Sequence, residues 1–364
     1  MDADDGRWMA QALRLGRRTL GATGDNPAVG SVIVKDGALV GAGWTAVGGR
    51  PHAEVAALAM AGEKARGATA YVTLEPCSHH GRSAPCAEAL VAAGVGRVVA
   101  AFEDPDPRVS GRGLARLKEA GIRVDTGVGA EEARKDLAGF LSRIERGRPY
   151  LTLKLAVSED GKIAEHAGAA TAITGEEVRQ RVHLLRAQSD AILVGIGTVL
   201  ADDPALTVRL PGLKARSPVR VVADSRLRLP PMSRLAQGAS KSPVWLLATG
   251  GTDGRLSDTN VEIVACDTTA DGRVDLADAM RKLSGRGINR VMAEGGAHLV
   301  RALIEADLVD EAWLFTAPKV LGPKAVDALA GLPLSRIMAS EQFGLVREER
   351  IGEDCLAIYR RTDA

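Results

Sequence analysis

The segments that decide the fold of the first half are His52-Ala53-Glu54 and, further along, Glu75-Pro76-Cys77 with Cys86 beyond it. We expect His52 to open a helix over 52–65 and Cys77 to follow a buried strand that ends at Glu75. One imidazole and two thiolates are ligands that zinc prefers, and they leave a fourth position for water, as in catalytic zinc sites. Glu54 would lie beside that water and carry its proton, because zinc lowers the pKa of bound water to ~7.

The order of these residues is more informative than any one of them. H-x-E followed by P-C and a second C is the signature of the zinc-dependent nucleobase deaminases. An H-x-E tripeptide alone is common, and two cysteines alone could be buried thiols, but the joined pattern favours a metal site. A closed structural zinc site, with His79 or His80 as a fourth ligand, is the alternative.

Alternating helices and strands surround this motif. Lys35-Asp36-Gly37 lies between two apolar runs and predicts a β-hairpin. The remaining pattern predicts helices over 7–20, from 83 or 84 to 93, and near 111–121, and strands over 28–34, 38–44, 70–74 and 97–101. This alternation is typical of an α/β fold.

A polar stretch, Glu145-Arg146-Gly147-Arg148-Pro149, predicts a domain boundary. We therefore expect one domain over residues 1–146 and a second over residues 147–364. The second half is also predicted to be α/β. Its strands are expected over 150–157, 191–195, 219–223, 244–248, 261–265, 289–293, 312–316 and near 344–360, and its helices over 175–188, 274–284 and 297–305.

The composition argues against several classes of function. The 364 residues include 47 Lys and Arg against 46 Asp and Glu, so bulk charge does not attract nucleic acid or an anionic membrane. No apolar run reaches the ~20 residues that cross a bilayer. The acidic start of the chain does not have the layout of a secretory signal. We therefore expect a cytoplasmic protein.

The segment from Pro76 to Cys86 carries a resemblance that is more specific than the zinc ligands. Its long insert between the cysteines resembles the loop of the bifunctional riboflavin-biosynthesis deaminase–reductases, and Asn26-Pro27-Ala28-Val29-Gly30 resembles that family's early substrate loop. The resemblance implies a cytidine-deaminase-like, three-layer α/β/α domain. It also implies that the pyrimidine or its ribose phosphate is bound by Asn26, His79 and Arg82, which agrees with amide and guanidinium chemistry.

The resemblance continues through the second half. Leu153-Lys154-Leu155-Ala156 and the run from Gly197 to Pro204 resemble the family's reductase domain, which has a dihydrofolate-reductase-like α/β fold and uses NADPH. The implied catalytic residues of this cleft are Lys154, Asp202 and Glu294. The implied substrate contacts are Ala170, Arg186, Leu206, Arg209 and Glu294, and the implied cofactor contacts are Ala156, Ala172, Thr198, Asp202, Ser225, Gly295, Gly296 and Ala297.

The residues themselves also indicate where phosphates of a cofactor would bind. The segment Gly195-Ile196-Gly197-Thr198 is not G-x-G-x-x-G, so a Rossmann fingerprint is absent. Glu294-Gly295-Gly296-Ala297 opens a predicted helix after a strand, where free N–H groups suit a pyrophosphate. A plain strand–helix corner that needs glycine is the alternative. Ser225-Arg226 at another strand end could hold a 2′-phosphate and favour NADPH over NADH.

Four positions depart from the family pattern. Thr45 stands where a His is frequent, and Ala84 stands where a Pro is frequent. Ala170 and Ala172 replace a common Ser and Trp. These two changes remove a hydroxyl contact to the substrate and an aromatic wall beside the cofactor.

The resemblance implies a fused enzyme with two cofactors, one zinc and NADPH. The first domain would hydrolytically remove the 2-amino group of 2,5-diamino-6-ribosylamino-4(3H)-pyrimidinone 5′-phosphate, and the second would reduce the ribosyl group of the product to ribityl. The expected partners are small phosphorylated pyrimidines, with no nucleic acid and no membrane, in a homo-oligomer. The competing hypothesis is a tRNA or DNA base deaminase with an appended binding domain. Balanced charge and an aromatic content of 3% argue against it.

Overall fold

The computed structural model describes residues 4–79, 84–166, 168 and 171–362. The chain divides into two compact units, Met1–Arg148 and Pro149–Ala364. Each unit contains one large sheet flanked by helices, so the α/β class predicted for both halves is confirmed. Of the predicted site residues, Arg82 and Ala170 lie outside the described residues.

The first unit is built on a five-stranded sheet. Its strands are β1 (Gly30–Lys35), β2 (Ala38–Trp44), β3 (Thr69–Val72), β4 (Arg97–Ala100) and β5 (Arg123–Thr126). Their order is β2-β1-β3-β4-β5, and β1 runs antiparallel to both of its neighbours. β3, β4 and β5 are parallel to one another. The helices of the unit are α1 (Asp5–Gly16), α2 (Ala53–Ala61), α3 (Cys86–Ala92), α4 (Arg112–Glu119), α5 (Ala130–Asp136) and α6 (Ala138–Arg146).

Alternation along the strands divides the core of this unit into two layers. In β1, Val32 and Val34 pack with α1 and α6 on one face, whereas Ile33 packs with α2, α3 and α4 on the other. Successive side chains of a strand point to opposite faces, so apolar residues on both faces require helices on both. The result is the expected three-layer α/β/α arrangement.

Two glycines in β2 allow α2 to lie directly on the sheet. A Cβ at Gly43 would come within 2.2 Å of the Ala53 carbonyl oxygen, and one at Gly41 within 2.3 Å of the Ala57 carbonyl oxygen. Side chains at these positions would push the helix outward. The glycines therefore set the depth of α2, whose first turn carries His52 and Glu54.

The second unit contains a nine-stranded sheet and a separate two-stranded ribbon. Its strands are β6 (Tyr150–Ser158), β7 (Lys162–Ala164), β8 (Ala191–Gly195), β9 (Val219–Ala223), β10 (Val244–Ala248), β11 (Val261–Ala265), β12 (Arg290–Ala293), β13 (Glu311–Ala317), β14 (Val326–Asp327), β15 (Phe343–Ile351) and β16 (Asp354–Arg361). Its helices are α7 (Glu176–Ala187), α8 (Ile196–Asp202), α9 (Arg234–Gln237), α10 (Leu276–Gly285), α11 (Ala297–Glu305) and α12 (Ser335–Met338).

The order of the large sheet is β11-β10-β9-β8-β12-β6-β13-β16-β15. The strands from β11 to β13 are parallel, and β16 and β15 complete the sheet as an antiparallel hairpin. Helices α10 and α11 cover one face, while α7, α8 and α9 cover the other. Parallel strands place their carboxyl ends at one edge, where ligands bind in open α/β sheets. The loops after β8, β9 and β12 meet at this edge.

Several predicted boundaries were wrong by a few residues. The helices predicted over 7–20 and 52–65 end at Gly16 and Ala61, and each continues as a short 3-10 turn. The strand expected to reach Glu75 ends at Val72. The segment near 344–360 is two strands, because Gly352 turns the chain with a φ of 62°.

The elements over residues 123–146 were not predicted. Their strand, β5, lies at an edge of the sheet and carries Arg123, Asp125 and Thr126, so its composition does not stand out as a strand. None of the described helices is long and apolar enough to cross a membrane.

Candidate zinc and reductase sites

His52, Cys77 and Cys86 meet at the start of α2 and α3. The His52 Nδ1 atom lies 3.7 Å from the Cys77 Sγ atom and 3.3 Å from the Cys86 Sγ atom. All three ligand atoms lie within 4.8 Å of one another. The structure therefore brings together the three residues that the sequence singled out.

This donor set fits zinc in both chemistry and spacing. Zinc–nitrogen bonds of about 2.0 Å and zinc–sulfur bonds of about 2.3 Å in tetrahedral geometry require a nitrogen–sulfur separation of about 3.5 Å. The observed separations of 3.3 and 3.7 Å bracket that value. Among the described residues, His79 does not join this cluster, so it does not close the site. His80, the other candidate fourth ligand, lies outside the described residues.

Local hydrogen bonds prepare Cys77 to act as a thiolate. Its pKa is lowered to about 4, first by the hydrogen bond from the Cys86 side chain and then by His52 and the Cys86 backbone. The Cys86 N–H donates to the Cys77 Sγ atom over 3.3 Å at the N-terminus of α3. A metal ligand must be deprotonated, so these contacts favour metal binding.

Glu54 is a buried carboxyl group beside the ligands. Its side chain lies in the first turn of α2, and the residue is only 4% exposed. Burial raises the pKa of Glu54 to about 7, and negative charge at Cys77 acts in the same direction. A carboxyl group with a pKa near 7 is well matched to accept and return protons at neutral pH.

Glu75 is a site residue that sequence reasoning missed. Its Oε2 atom accepts hydrogen bonds from the N–H groups of Asp104 and Gly111, at 3.0 and 2.9 Å. Its Oε1 atom accepts from those of Gly113 and Leu114, at 2.8 and 3.1 Å. Glu75 thereby ties the start of α4 to the turn that leads into Cys77. The signal in the sequence that could have identified Glu75 is an acidic residue directly before Pro76-Cys77.

The predicted pyrimidine loop has a well-defined shape. The Thr45 hydroxyl accepts a hydrogen bond from the Val29 N–H and donates one to the Pro27 carbonyl, at 3.0 and 2.9 Å. Thr45 is 2% exposed, so it supports this loop from within. Asn26 is half-buried, and its side chain lies against Gly49, where a Cβ would come within 2.2 Å of Nδ2.

His79 and Ser78 line a cleft of about 520 Å³ between α3 and α4. Arg108, Arg112 and Arg116 also line it, together with the acidic residues Glu88 and Glu119. Among the described residues, the buried His79 Nδ1 atom has no hydrogen-bond partner. The cleft lies beside the segment that leads from Cys77 to His79.

In the second unit, Arg186 and Glu294 form a bidentate ion pair. The Arg186 Nε and Nη2 atoms donate to the two Glu294 carboxylate oxygens over 2.6 and 2.9 Å. Burial opposes ionisation of Glu294, but the charge of Arg186, its hydrogen bonds and Lys154 outweigh that effect and lower the Glu294 pKa. Burial lowers the pKa of Lys154, while Glu294 opposes that shift. Three of the polar groups predicted for the cleft, Lys154, Arg186 and Glu294, therefore lie close together.

The first turn of α8, which directly follows β8, lies beside the loop after β12. The Gly296 N–H donates to the Thr198 Oγ1 atom over 3.1 Å, which joins two of the predicted cofactor contacts. A Cβ at Gly295 would come within 2.9 Å of Leu299, so the first turn of α11 requires a small residue there. Gly296 caps α11 and Ala297 begins it. A helix N-terminus at the edge of parallel strands suits a phosphate.

The other predicted cofactor contacts are more dispersed. The Ser225 Oγ atom accepts a hydrogen bond from the Val274 N–H over 2.9 Å, while Arg226 is exposed. Asp202 is exposed at the end of α8, and Ala156 is half-buried in β6 on the same face as Lys154. Ala172 is exposed, and its carbonyl accepts a hydrogen bond from the Lys319 ammonium group.

Leu206 and Arg209 lie on a segment that packs against α7. Leu206 is 4% exposed and has a φ of 53°, a left-handed backbone that a leucine seldom adopts. Arg209 is exposed and contacts the ring of His183, a residue that the sequence did not single out.

Two family models match the chain. Residues 2–102 match the cytidine and deoxycytidylate deaminase zinc-binding region, and residues 149–356 match the RibD C-terminal domain. The fold and the His–Cys–Cys site thus define a zinc-dependent deaminase that is joined to a reductase domain. The chain belongs to the RibD family of bifunctional riboflavin biosynthesis proteins.

Individual relatives agree over nearly the whole chain. The riboflavin biosynthesis protein RibD of Escherichia coli is 46% identical over 97% of this chain and 98% of its own length. A solved structure of Acinetobacter baumannii RibD is 39% identical, covers 99% of both chains and has a TM-score of 0.89. The deaminase/reductase structure from Thermotoga maritima is 33% identical, covers 98% of both chains and has a TM-score of 0.86.

These comparisons confirm the expected activity class and cofactors. The chain is a deaminase and a reductase of riboflavin biosynthesis, with zinc in the deaminase domain and NADPH in the reductase domain. The hypothesis of a nucleic-acid base deaminase is not favoured. Phosphorylated pyrimidines are consistent with this activity as substrates.

Proposed function

We propose that residues 1–146 carry the deaminase and residues 147–364 the reductase, each with its own catalytic residues. In the first domain His52, Cys77 and Cys86 would hold one zinc ion, and Glu54 would carry protons. The observation that supports this assignment best is the set of nitrogen–sulfur separations of 3.3 and 3.7 Å beside the buried carboxyl group of Glu54.

In deamination, a zinc ion held by His52, Cys77 and Cys86 would supply a water molecule of lowered pKa. Glu54 would accept a proton from that water as its oxygen forms a bond to the C2 atom of the pyrimidine. The bond from C2 to the amino nitrogen would then break, and Glu54 would return the proton to that nitrogen, which leaves as ammonia. The burial of Glu54 excludes competing solvent, which strengthens each of its interactions. Asn26 and His79 would orient the pyrimidine, with Arg82 at the ribose phosphate.

In reduction, NADPH supplies the hydride that the ribose C1′ atom accepts. The bond from C1′ to the ring oxygen breaks, and that oxygen must gain a proton to become a hydroxyl group. Lys154 is suited to donate this proton, because burial lowers its pKa and weakens its hold on the proton. Glu294 would bind the substrate and hold Lys154 in place. Arg186 and Arg209 would face the phosphate of the substrate.

The cofactor would lie along the edge formed by the loops after β8, β9 and β12. Thr198, Gly295, Gly296 and Ala297 would receive the pyrophosphate at the N-terminus of α11. Further contacts would come from Ala156, Ala172, Asp202 and Ser225. With Ala170 and Ala172 in place of larger residues, the neighbouring loops must form more of the pocket wall.

A direct assay tests the proposal. The purified protein is incubated with the diaminopyrimidine phosphate, with and without NADPH. We expect ammonia release in both cases and NADPH oxidation only after deamination has begun. Ammonia release without any subsequent NADPH oxidation would refute the reductase assignment, and no ammonia release would refute the deaminase assignment.

Metal analysis tests the ligand assignment separately. Cys86→Ser should lose the single equivalent of zinc, because a serine hydroxyl is a poor zinc ligand. The matched control is Cys355→Ser, which changes a cysteine of the second unit and should retain zinc. A full equivalent of zinc in Cys86→Ser would exclude Cys86 as a ligand.

We also propose self-association and a cytoplasmic location. Support for self-association comes from β15, an edge strand of the large sheet on which Leu345 and Val346 are about half exposed. Support for the location comes from Cys77 and Cys86, which bind metal only as reduced thiols. Self-association predicts that light scattering gives a multiple of the chain mass. The cytoplasmic location predicts that cell fractionation recovers the activity with the cytoplasmic fraction. We also expect the protein not to bind nucleic acid at low salt.

A further inference from the structure

His183 is a buried histidine next to the residues proposed to bind the substrate's phosphate. It lies on α7 one turn before Arg186, so both side chains face the same way. His183 is 8% exposed. Both residues contact one short segment, residues 206–209, that ends at Arg209.

This segment requires support, because part of its backbone is strained. Leu206, its first residue, has a φ of 53°, and such a conformation persists only where surrounding contacts determine it. The Arg186 Nη1 atom donates to the Thr207 carbonyl over 3.3 Å. The next contact along the segment is between His183 and Arg209.

Both ring nitrogens of His183 face donors of Arg209. The Arg209 N–H points at Nδ1 over 3.4 Å, and its Nε–H points at Nε2 over 3.3 Å. A neutral imidazole has one acceptor nitrogen, and a protonated imidazole has none. The neutral ring of His183 therefore accepts one of these two hydrogen bonds from Arg209, and the protonated ring accepts neither.

The charges around His183 keep it neutral. Burial lowers the pKa of His183, and Arg186 and Arg209 act in the same direction, whereas Glu294 and Glu176 oppose them. Arg186 and Glu176 lie on α7 itself, Arg209 lies on the supported segment and Glu294 follows β12. Acidification would place a third cation between two guanidinium groups.

We propose that His183 is a positioning residue of the reductase, whose neutral ring holds Arg209 in the orientation that receives the anionic phosphate of the substrate. This inference rests on the proposed function, which places that phosphate at Arg209. His183 would not touch the reacting atoms, so its loss should weaken substrate binding more than turnover. Protonation should have the same effect as its loss.

The test uses two substitutions and the kinetics of the full-length, zinc- and NADPH-supplied enzyme. His183→Leu removes the acceptor, and we expect the KM for the deaminated substrate to rise about tenfold while kcat changes less than about threefold. His183→Asn retains an acceptor oxygen that cannot be protonated, and we expect it to restore most of the affinity at pH 7.5. Arg179→Ala, on the exposed face of α7, is the matched control and should leave both constants unchanged.

The pH profile separates positioning from simple packing. The substrate's phosphate itself titrates near pH 6, so each variant is compared with the unsubstituted enzyme over pH 5.5–8. We expect the KM of the unsubstituted enzyme to rise more on acidification than that of His183→Asn. Failure of His183→Asn to restore the affinity that His183→Leu loses would refute the inference, as would an unchanged KM in His183→Leu.

Failure of the proposed function would be recognised by a different result. Arg209→Met should raise the KM at least as much as His183→Leu does. If the enzyme reduces its substrate and Arg209→Met leaves the KM unchanged, the phosphate does not bind at Arg209 and the proposed function is wrong on that point. If Arg209→Met raises the KM and His183→Leu does not, only the role of His183 is refuted.

Discussion

Substitution of Glu54 by Gln should separate the two activities. Glutamine has nearly the same size as glutamate, so the packing of α2 on β2 is retained. The residue is 4% exposed, and bulk water therefore cannot replace its carboxyl group as a proton carrier. A positioned general acid–base group contributes ~10²–10⁴-fold to the rate, or about 3–5 kcal/mol of barrier. We expect the rate of deamination to fall by at least a hundredfold.

The assay measures zinc content, ammonia release and NADPH oxidation on the same preparation. Zinc should remain at one equivalent, because Glu54 is not a member of the ligand cluster. Reduction of substrate that has already been deaminated should be nearly unchanged. Glu63→Gln, which alters an exposed glutamate in the turn after α2, is the matched control. Loss of zinc in Glu54→Gln would make Glu54 structural, and a parallel loss of both activities would mean that the two domains do not act separately.

Three further predictions concern other parts of the molecule. Gly43→Ala places a Cβ within 2.2 Å of the Ala53 carbonyl oxygen, so it should destabilise the first unit by about 1–3 kcal/mol and weaken zinc binding; unchanged thermal unfolding and zinc affinity would contradict this. The double variant Ser225→Ala with Arg226→Ala should lose the preference for NADPH over NADH, measured as the ratio of kcat/KM values; an unchanged ratio would exclude the placement of the 2′-phosphate. Burial raises the pKa of Asp104 to about 7, so the folded protein keeps a proton that the unfolded chain releases, and stability should fall as pH rises from about 4 to 7. Asp104→Asn should remove the part of that fall that Asp104 causes, at most about 4 kcal/mol, while the part that Glu54 causes remains. Hydrogen exchange of the first unit at pH 5 and pH 8, with and without the substitution, would measure the difference.

The chemistry of the zinc site could be predicted because its information is local. His52 and Glu54 are two residues apart at the start of one helix, and Cys77 lies in the turn that follows β3. Residue types with metal affinity, in a fixed order beside predicted elements, leave few arrangements open. The assignment of an α/β fold to both halves also rests on local alternation of apolar residues.

The reductase cleft was predictable mainly through resemblance, because its contacts connect distant parts of the chain. Arg186 and Glu294 are 108 residues apart, and they pair because α7 lies against the sheet near the end of β12. No periodicity in either segment encodes that pairing. Likewise, the sequence indicates only that His183 occupies one position of a helix. The path of residues 206–209 in the folded chain brings Arg209 next to it.

The sequence by itself determined the candidate ligand set, the hairpin at Lys35-Asp36-Gly37 and the α/β class of both halves, since each depends on residues that are close along the chain. The tertiary structure alone decided which backbone groups Glu75 would satisfy, how deep α2 could lie, and which guanidinium group would face His183. The physical reason is that hydrogen bonds and close packing act over about 3–4 Å in space. The order of strands in a sheet determines which distant segments come that close.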